Sequence, residues 1–409
     1  MYKKGPWIWG AMALLAMAVI MGYAEFAFAQ RAPVSKVHPG VSPAARGFRV
    51  GQLRIHPALS LKEEYESNVF QSATDEQDDF LTTIVPGLAL AIPIGRHHFI
   101  GGYRAEFLKF ADHSNQDTTH HIATLGMSLD FPGGLLVKLD NQFKRTSEPP
   151  ASDLTGRVES FQNSLVSGVE YGLADRYSVG LNYSLGFIDF EARDFEFLDR
   201  LENRIGLTGF YRVFPKTSLL LDYAYGRIDH ISDTERDSTS HFIQAGVRGD
   251  LTAKLTTLFK IGWQIRESDE PGRRGFSGLV TSGTWIFEMT PRTTWTLLTE
   301  RRLVESSFAN NDFFESLIGT IGLDHAFGPK LSLKANVTVG LNNYPRKATV
   351  GTKTDDRNDL LLGVVGGLRY DFRRWLWVSI DYSFNRRDSN FGVFDYDDHR
   401  SSISIHLAI

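Results

Sequence analysis

The sequence predicts an all-β protein: a transmembrane, antiparallel, up-and-down β-barrel of about 18 strands. Three observations lead to this. Segments of roughly ten residues alternate between apolar and polar side chains, which is the pattern of a strand with one dry and one wet face. Tight turns alternate along the chain with longer polar connections. After the N-terminal region, no apolar run is long enough for a membrane-spanning helix.

The composition excludes several kinds of function. The chain has 409 residues, a formal net charge of −4, 37 glycines and no cysteine. Without cysteine there are no disulfides and no thiolate metal sites. The small negative charge gives no indication of a nucleic-acid partner. We therefore expect neither a nucleic-acid partner nor a cofactor.

The N-terminal region carries an export signal. Lys3 and Lys4 precede an apolar run at 7–23, and an A-x-A pattern follows at 27–29. We predict a cleaved signal peptide at 1–29, with a membrane-anchoring helix as the alternative. Residues 30–52 lack periodicity and are predicted to be a periplasmic lead-in. The barrel is predicted to occupy residues 53–409.

The first hairpin illustrates the pattern. A strand is predicted at 54–65 and a polar connection at 66–78. The second strand is predicted at 79–92, and Pro86 within it indicates a bulge or a weakly paired position. A tight turn at 93–96 follows.

The same rhythm continues to the C-terminus. Further tight turns are predicted near 132–133, 172–175, 215–216, 252–254, 290–292, 328–329 and 373–374. Longer connections are predicted at 111–116, 144–157, 189–198, 229–237, 267–275, 303–311, 343–356 and 387–395. Short and long connections are expected to alternate without exception, with both termini in the periplasm. This sorting is typical of barrels in the Gram-negative outer membrane. Outer-membrane lipids and the barrel assembly machinery are therefore expected partners.

The most regular strand lies within residues 331–343, where Val337 and Val339 alternate with Asn336 and Thr338. An 18-stranded lumen is too wide to be filled by side chains. The apolar row should therefore face lipid, and the polar row should line the lumen.

This assignment predicts a set of pore-lining residues of mixed charge. The numbers of basic and acidic side chains nearly balance, so we expect no strong selectivity between small anions and cations. Many of these residues are expected to form cross-strand pairs that stiffen the wall. The predicted pore-lining residues are Arg104, Glu106, Lys138, Asp140, Asn182, Arg204, Asp222, Arg248, Lys260, Glu300, Lys334, Asn336, Arg369 and Asp381.

No residue pattern points to catalysis or to a metal site. The histidine pairs at 97–98 and 120–121 are adjacent on predicted strands, so their rings should point to opposite faces. No nucleophile, zinc or phosphate-binding motif is found. We therefore predict that the protein is not an enzyme.

One short stretch resembles a known family. The sequence reads Tyr65-x-x-Asn68-Val69-Phe70, followed by Pro86-Gly87-Leu88 in the second strand. This resembles the first hairpin of outer-membrane β-barrel porins found with exopolysaccharide gene clusters. The resemblance implies a passage for secretion of an exopolysaccharide or capsular polysaccharide. It also implies two partners, the polysaccharide polymer and a periplasmic polysaccharide export protein.

Two other functions fit the same barrel. A general or sugar-uptake diffusion porin would have an inward-folded constriction loop and a line of aromatic side chains in the lumen. The connection at 144–157 is long enough to fold inward. A non-conducting surface scaffold is the third possibility. A TonB-dependent receptor is disfavoured, because the predicted lead-in is too short for a plug domain.

Overall fold

The computed structural model describes residues 47–148, 153, 157–308 and 311–409. The predicted signal peptide and most of the predicted lead-in lie outside these residues. Among the residues described, no helix is long and apolar enough to cross a membrane.

A single antiparallel sheet closes on itself. Strands β2–β19 each pair with their sequence neighbours, and β19 pairs with β2, so that 18 strands form the barrel. The predicted fold class and strand number are confirmed. The strands are β1 (Phe48–Val50), β2 (Leu53–Glu66), β3 (Asp79–Ile94), β4 (His97–Phe110), β5 (Thr118–Asp130), β6 (Leu135–Thr146), β7 (Ser160–Ala174), β8 (Tyr177–Phe190), β9 (Arg200–Phe214), β10 (Thr217–His230), β11 (Ser238–Asp250), β12 (Leu255–Ser268), β13 (Phe276–Thr290), β14 (Thr293–Glu305), β15 (Phe313–Ala326), β16 (Leu331–Val350), β17 (Lys353–Arg373), β18 (Leu376–Ser389) and β19 (Tyr396–Ala408).

The seam of the barrel is extended by the short strand β1. Along the seam, β19 pairs with β2 from Arg400↔Glu66 to Ala408↔Ala58. Beyond that point β1 pairs with β2, from Val50↔Leu53 to Phe48↔Ile55. Because β3 occupies the other side of β2, β1 must continue the edge that β19 leaves. The strand lies within the segment predicted as a lead-in, and it covers backbone groups that would otherwise be unpaired.

Alternation along each strand separates the two faces. On β10, Leu219 and Leu221 are 49% and 64% exposed, whereas Leu220 and Asp222 between them are 5% and 3% exposed. The exposed apolar row is the outer surface of the barrel, as the sequence pattern predicts. Lipid is the favourable environment for these side chains.

Tyrosines recur on the outward rows, and three of them, at the middle of their strands, are paired with histidines that lie nearer the outer ends. In three cases the hydroxyl is hydrogen-bonded to a histidine ring on the next strand, at 2.8–2.9 Å. Amphipathic side chains of this kind suit the membrane–water boundary. The pairs are Tyr103–His121, Tyr223–His241 and Tyr382–His399.

One predicted connection is wrong. Residues 343–356 do not form an open loop; β16 and β17 continue as a hairpin to Val350 and Lys353, joined by a turn at Gly351. Gly351 has φ +61°, which a tight turn readily uses. Strands that extend beyond the lipid can pair through their backbones without an outward row of apolar side chains. The sequence pattern, which relies on such a row, therefore did not predict this part of the hairpin. Strict alternation of short and long connections therefore fails here.

Pro86 affects pairing without shifting the register. The ladder between β3 and β4 is interrupted between Ile84↔Phe107 and Gly87↔Arg104, and the register is the same on both sides. A proline has no N–H to donate, which accounts for the gap. The expectation of a weakly paired position is confirmed, and the alternative of a bulge is wrong.

Candidate pore and its constriction

The predicted pore-lining residues all lie on the inward rows of their strands. Seven of them line one cavity of about 450 Å³ against strands β6–β14: Lys138, Asn182, Arg204, Asp222, Arg248, Lys260 and Glu300. The other seven are on inward rows elsewhere: Arg104, Glu106, Asp140, Lys334, Asn336, Arg369 and Asp381. Whether any of them contacts a passing solute remains a prediction.

Most inward ion pairs join residues two apart on one strand. Residues i and i+2 share a face and are about 6.5 Å apart along the strand, which an arginine and a carboxylate easily bridge. The expectation that many of these charges pair across strands is wrong for these residues. It is confirmed for Lys334–Asp324, Lys260–Asp222 and Arg248–Glu170. The same-strand pairs are Lys62–Glu64, Arg104–Glu106, Arg200–Glu202, Arg302–Glu300, Arg357–Asp359, Arg369–Asp371 and Arg400–Asp398.

Further ion pairs join strands that are not neighbours, and one of them joins Lys260 on β12 to Asp222 on β10 at 3.3 Å. Arg248 on β11 donates to Glu170 on β7 at 2.9 and 2.7 Å. Arg266 on β12 is paired with Glu305 at the end of β14. The Arg248–Glu170 contact passes over three intervening strands, and both residues are buried, so this pair lies on the concave side of the sheet.

The cavity wall contains more basic than acidic side chains. Its inward-row bases are Lys138, Lys144, Arg200, Arg204, Arg248, Lys260, Arg266 and Arg302. Its acids are Glu170, Glu202, Asp222, Glu300 and Glu305. Asp140 is not among these residues: its Oδ1 lies beside Gly126 of β5, 3.2 Å from where a Cβ would be. Arg227 and Arg301 also lie along the cavity, but their side chains belong to the outward rows and pair with acids there.

Asp153, in the connection between β6 and β7, contacts the outer connection that follows β14. Asp153 is 3% exposed, and its Oδ2 accepts hydrogen bonds from Ser306 Oγ and the Ser307 N–H, both at 2.8 Å. These two serines follow β14, well away from β6 around the barrel. Burial raises the pKa of Asp153, and the hydrogen bond from Ser306 opposes this shift.

The same connection is tied to the seam at its other end. Arg157 Nη2 lies 3.0 Å from Glu66 Oε2 on β2, and its guanidinium lies 5.3 Å from the centre of the Phe110 ring. Glu66 is fully buried and also pairs with Arg400 at 2.5 Å. The connection therefore contacts two separate parts of the barrel wall.

Arg357 organises the neighbouring outer loops. It is 1% exposed and hydrogen-bonds to Asp359 at 3.0 and 2.6 Å. Its guanidinium lies over Phe394, Tyr344 and Phe308, with centroid distances of 3.8, 4.4 and 4.6 Å. The sequence analysis missed this residue, although the Arg-x-Asp spacing repeated along the chain was a signal that could have identified it.

Other residues of the outer half were also missed: the buried Glu66, Asp153, Arg266 and Glu305, and the half-buried Arg157. Their partners are distant in sequence, so no local pattern marks them. Arg236, in the β10–β11 connection, is a similar case. It donates to the carbonyl of Ser306 at 2.7 Å, and burial lowers its pKa.

The residues of the short family motif have structural contacts at the seam. The Asn68 side chain is fully buried and hydrogen-bonds to Ser72 and to the carbonyl of Asp397 at 2.9–3.0 Å. Val69 packs in a buried cluster, with Phe70 against its edge. In the wall, Tyr65 contacts Phe80 with ring centres 5.3 Å apart, and Gly87 lies beside Arg104 on β4.

The adjacent histidines at 120–121 on β5 point to opposite faces of the barrel wall. His120 is buried on the inward side, 3.0 Å from Ser147 Oγ, whereas His121 is on the outward row with Tyr103. In the part of the chain that the structure describes, no group of three or more histidine, aspartate or glutamate side chains could hold a metal ion.

Comparison with known proteins places the chain among porins. The family described as "Putative beta-barrel porin 2" matches residues 42–409. No curated protein matches. Similar solved structures include Pseudomonas aeruginosa OccK3 (OpdO), with 14% identity, 87% and 96% of the two chains covered and a TM-score of 0.45. A BenF-like porin from Pseudomonas fluorescens Pf-5 has 12% identity, 87% and 99% coverage and a TM-score of 0.46. Acinetobacter baumannii OccAB4 has 12% identity, 88% and 99% coverage and a TM-score of 0.46.

Proposed function

Because the chain belongs to the "Putative beta-barrel porin 2" family and is an integral outer-membrane barrel, we propose that it is a diffusion porin for small hydrophilic solutes. The β6–β7 connection is the constriction. The observation that carries this proposal is the position of Asp153, which is buried against Ser306 and Ser307 of the connection after β14, on a distant part of the barrel rim.

An inward connection narrows the path that a solute must take. The outer half also contains Arg357 with its ring of aromatic side chains and the Arg157–Glu66 pair. Such packing leaves less room for a polymer than an open barrel would. The polar cavity against β6–β14 remains available to small molecules. The lumen is therefore better suited to small solutes than to an extended chain.

Secretion of a polysaccharide is the second proposal. It rests on the motif at Tyr65, Asn68, Val69 and Phe70, and it requires a periplasmic polysaccharide export protein as partner. In this protein those residues hold the seam and the first outer connection. For a polymer to pass, the β6–β7 connection would have to leave its contacts with Ser306 and Glu66.

Solute flux across vesicles distinguishes the proposals. The full chain, reconstituted in liposomes, should admit monosaccharides and exclude large dextrans. Replacing Asp153 and Arg157 together by Ala should raise the size limit for solutes, because both anchors of the constriction are lost. An outward-row variant, Arg301→Ala, is the matched control and should leave the size limit as it is.

A barrel that passes no solute would favour the scaffold function. Loss of surface polysaccharide on gene deletion, with unchanged solute uptake, would favour secretion.

A further inference from the structure

Exposed basic residues collect at the tight-turn end of the barrel, which is the periplasmic end in outer-membrane barrels. Eight tight turns lie between β3–β4, β5–β6 and so on to β17–β18, and seven of them contain a lysine or an arginine. In these eight turns, which the structure describes in full, the one acidic residue is Asp175. The basic turn residues, all exposed, are Arg96, Arg176, Lys216, Lys254, Arg292, Lys330 and Arg374.

Some of these cations are neutralised by neighbours and others are not. Arg96 lies 2.6 Å from Asp130, and Lys216 lies 3.2 Å from Asp250. Other basic residues of this end form no ion pair with any residue that the structure describes. These include Arg176, Arg292, Lys330, Arg374 and the neighbouring Arg373.

Two neighbouring turns bring three of the unpaired cations together. Arg373 is the last residue of β17, and Arg374 follows it in the β17–β18 turn. The N–H of Asp371 donates to the carbonyl of Lys330 at 2.8 Å, which places the β15–β16 turn beside the end of β17. Like charges that lie close together repel each other, so an anionic group bound among them would stabilise the cluster.

Exposed aromatic side chains adjoin this cluster. Tyr370 and Phe372 pack edge to face, with ring centres 4.8 Å apart, and Lys330 Nζ lies 6.0 Å from the centre of the Tyr370 ring. Trp375 directly follows Arg374 and is also exposed. Tyrosine and tryptophan side chains are enriched where a membrane meets water, at the level of the lipid headgroups. The three cations therefore lie at the depth of the lipid phosphates.

We propose that Lys330, Arg373 and Arg374 bind the phosphate group of an anionic phospholipid, such as phosphatidylglycerol, in the periplasmic leaflet. Arginine can bind a phosphate through paired N–H groups, and lysine adds a compact positive charge. Basic residues beside a membrane surface are attracted to anionic headgroups. A lipid fits better than a soluble anion because Tyr370 and Phe372, which adjoin the cations, are on the outward row that meets lipid. The site concerns the position of the barrel in the membrane and does not depend on which solute passes.

Native mass spectrometry of the detergent-solubilised full chain tests the proposal. The protein is titrated with phosphatidylglycerol or with zwitterionic phosphatidylcholine, and the apparent Kd of the first bound lipid is measured. For the native protein we expect a Kd for phosphatidylglycerol at least about two-fold below that for phosphatidylcholine. The variant K330Q/R373Q/R374Q should lose this difference, with its Kd for phosphatidylcholine unchanged. Heat-modifiable mobility on gels shows whether the variant has assembled.

A control variant removes the same number of charges from the opposite end of the barrel. K109Q/K347Q/K353Q lacks three exposed cations of the outer end and should retain the preference for phosphatidylglycerol. An equal loss of preference in this control would assign the effect to total charge and overturn the site. Binding of inorganic phosphate as tight as that of phosphatidylglycerol would overturn the assignment to a lipid.

A single substitution keeps the test decisive if the triple variant does not assemble. Arg374 lies in an exposed turn, so R374Q should assemble and should weaken phosphatidylglycerol binding, whereas R374K keeps the charge and should retain most of it. Added salt should weaken this binding to the native protein, because exposed charges are screened. Equal Kd values of the native protein for the two lipids, or an unchanged preference in R374Q and in an assembled K330Q/R373Q/R374Q, would overturn the proposal. Solute flux tests the porin function separately from these measurements.

Discussion

The guanidinium of Arg248 makes two hydrogen bonds to Glu170, at 2.9 and 2.7 Å, although three strands separate β7 from β11. Both residues are buried, with 5% and 9% of their surfaces exposed. Removing one partner of a buried pair leaves the other charge uncompensated, which costs far more than losing an exposed pair.

Replacement of Arg248 should therefore destabilise the barrel strongly. We expect Arg248→Gln to lower the free energy of unfolding by about 3–5 kcal/mol. Denaturant unfolding in lipid vesicles, followed by tryptophan fluorescence, measures this. Arg369→Gln is the control: its pair with Asp371 is about one-third exposed and should contribute about 1 kcal/mol or less. Similar losses in the two variants would contradict the special role of the Arg248–Glu170 pair.

The constriction should close more firmly in acid. Burial raises the pKa of Asp153, so the docked carboxyl binds a proton more tightly than an undocked one. Docking of Asp153 on Ser306 and Ser307 is therefore favoured as the pH falls from the raised pKa towards the ordinary pKa of about 3.9. At neutral pH the carboxyl is ionised, and this stabilisation of the docked connection is absent. Single-channel conductance between pH 7 and pH 4 should decrease as the pH falls. Asp153→Asn does not titrate and should remove this part of the pH dependence. An unchanged pH profile in that variant would assign the effect to other groups.

Arg357 should hold the outer connections in place. Arg357→Gln leaves the buried carboxylate of Asp359 without its cation and removes the stacking on Phe394, Tyr344 and Phe308. Limited proteolysis of intact cells or proteoliposomes should then cut the outer connections several-fold faster. Lys353→Gln removes an exposed cation near Phe391 and is expected to have little effect. Equal resistance of Arg357→Gln and the native protein to proteolysis would show that other contacts are enough to hold the outer connections in place.

The two faces of β16 can be separated by chemical labelling. Cysteine at Asn336 should react with a small water-soluble thiol reagent, and cysteine at Val337 should not, because Val337 is on the outward row at 40% exposure. In addition, Val337→Arg should hinder assembly by about 2–4 kcal/mol if it lies at mid-bilayer. Heat-modifiable mobility on gels measures assembly. Equal labelling at both positions would refute the assignment of faces.

Local pattern was enough to predict much of this barrel. The alternation of Val337 and Val339 with Asn336 and Thr338 identifies both the strand and the face that meets lipid. The physical reason is that a membrane requires every backbone group to be paired and every lipid-facing side chain to be apolar. The hairpin of β16 and β17 beyond Asn343 lay outside that requirement, and there the prediction failed.

The constriction could be anticipated only as a possibility. The length of the segment at 144–157 allowed an inward fold, but nothing local marks Ser306 and Ser307 as partners of Asp153. The same holds for Glu66 and Arg157, which are 91 residues apart. Contacts between strands far apart in sequence depend on the curvature of the closed sheet.

The sequence by itself determined the strand number, the closure and the two faces, because a two-residue period and the bilayer leave few other solutions. Tertiary structure alone decided how the charges are distributed. From the sequence the inward charges nearly balance, whereas the closed barrel brings Lys260 of β12 beside Asp222 of β10, and Arg248 of β11 beside Glu170 of β7. The reason is geometric: electrostatic interactions depend on distance in space, and the register of non-neighbouring strands is set only when the barrel closes.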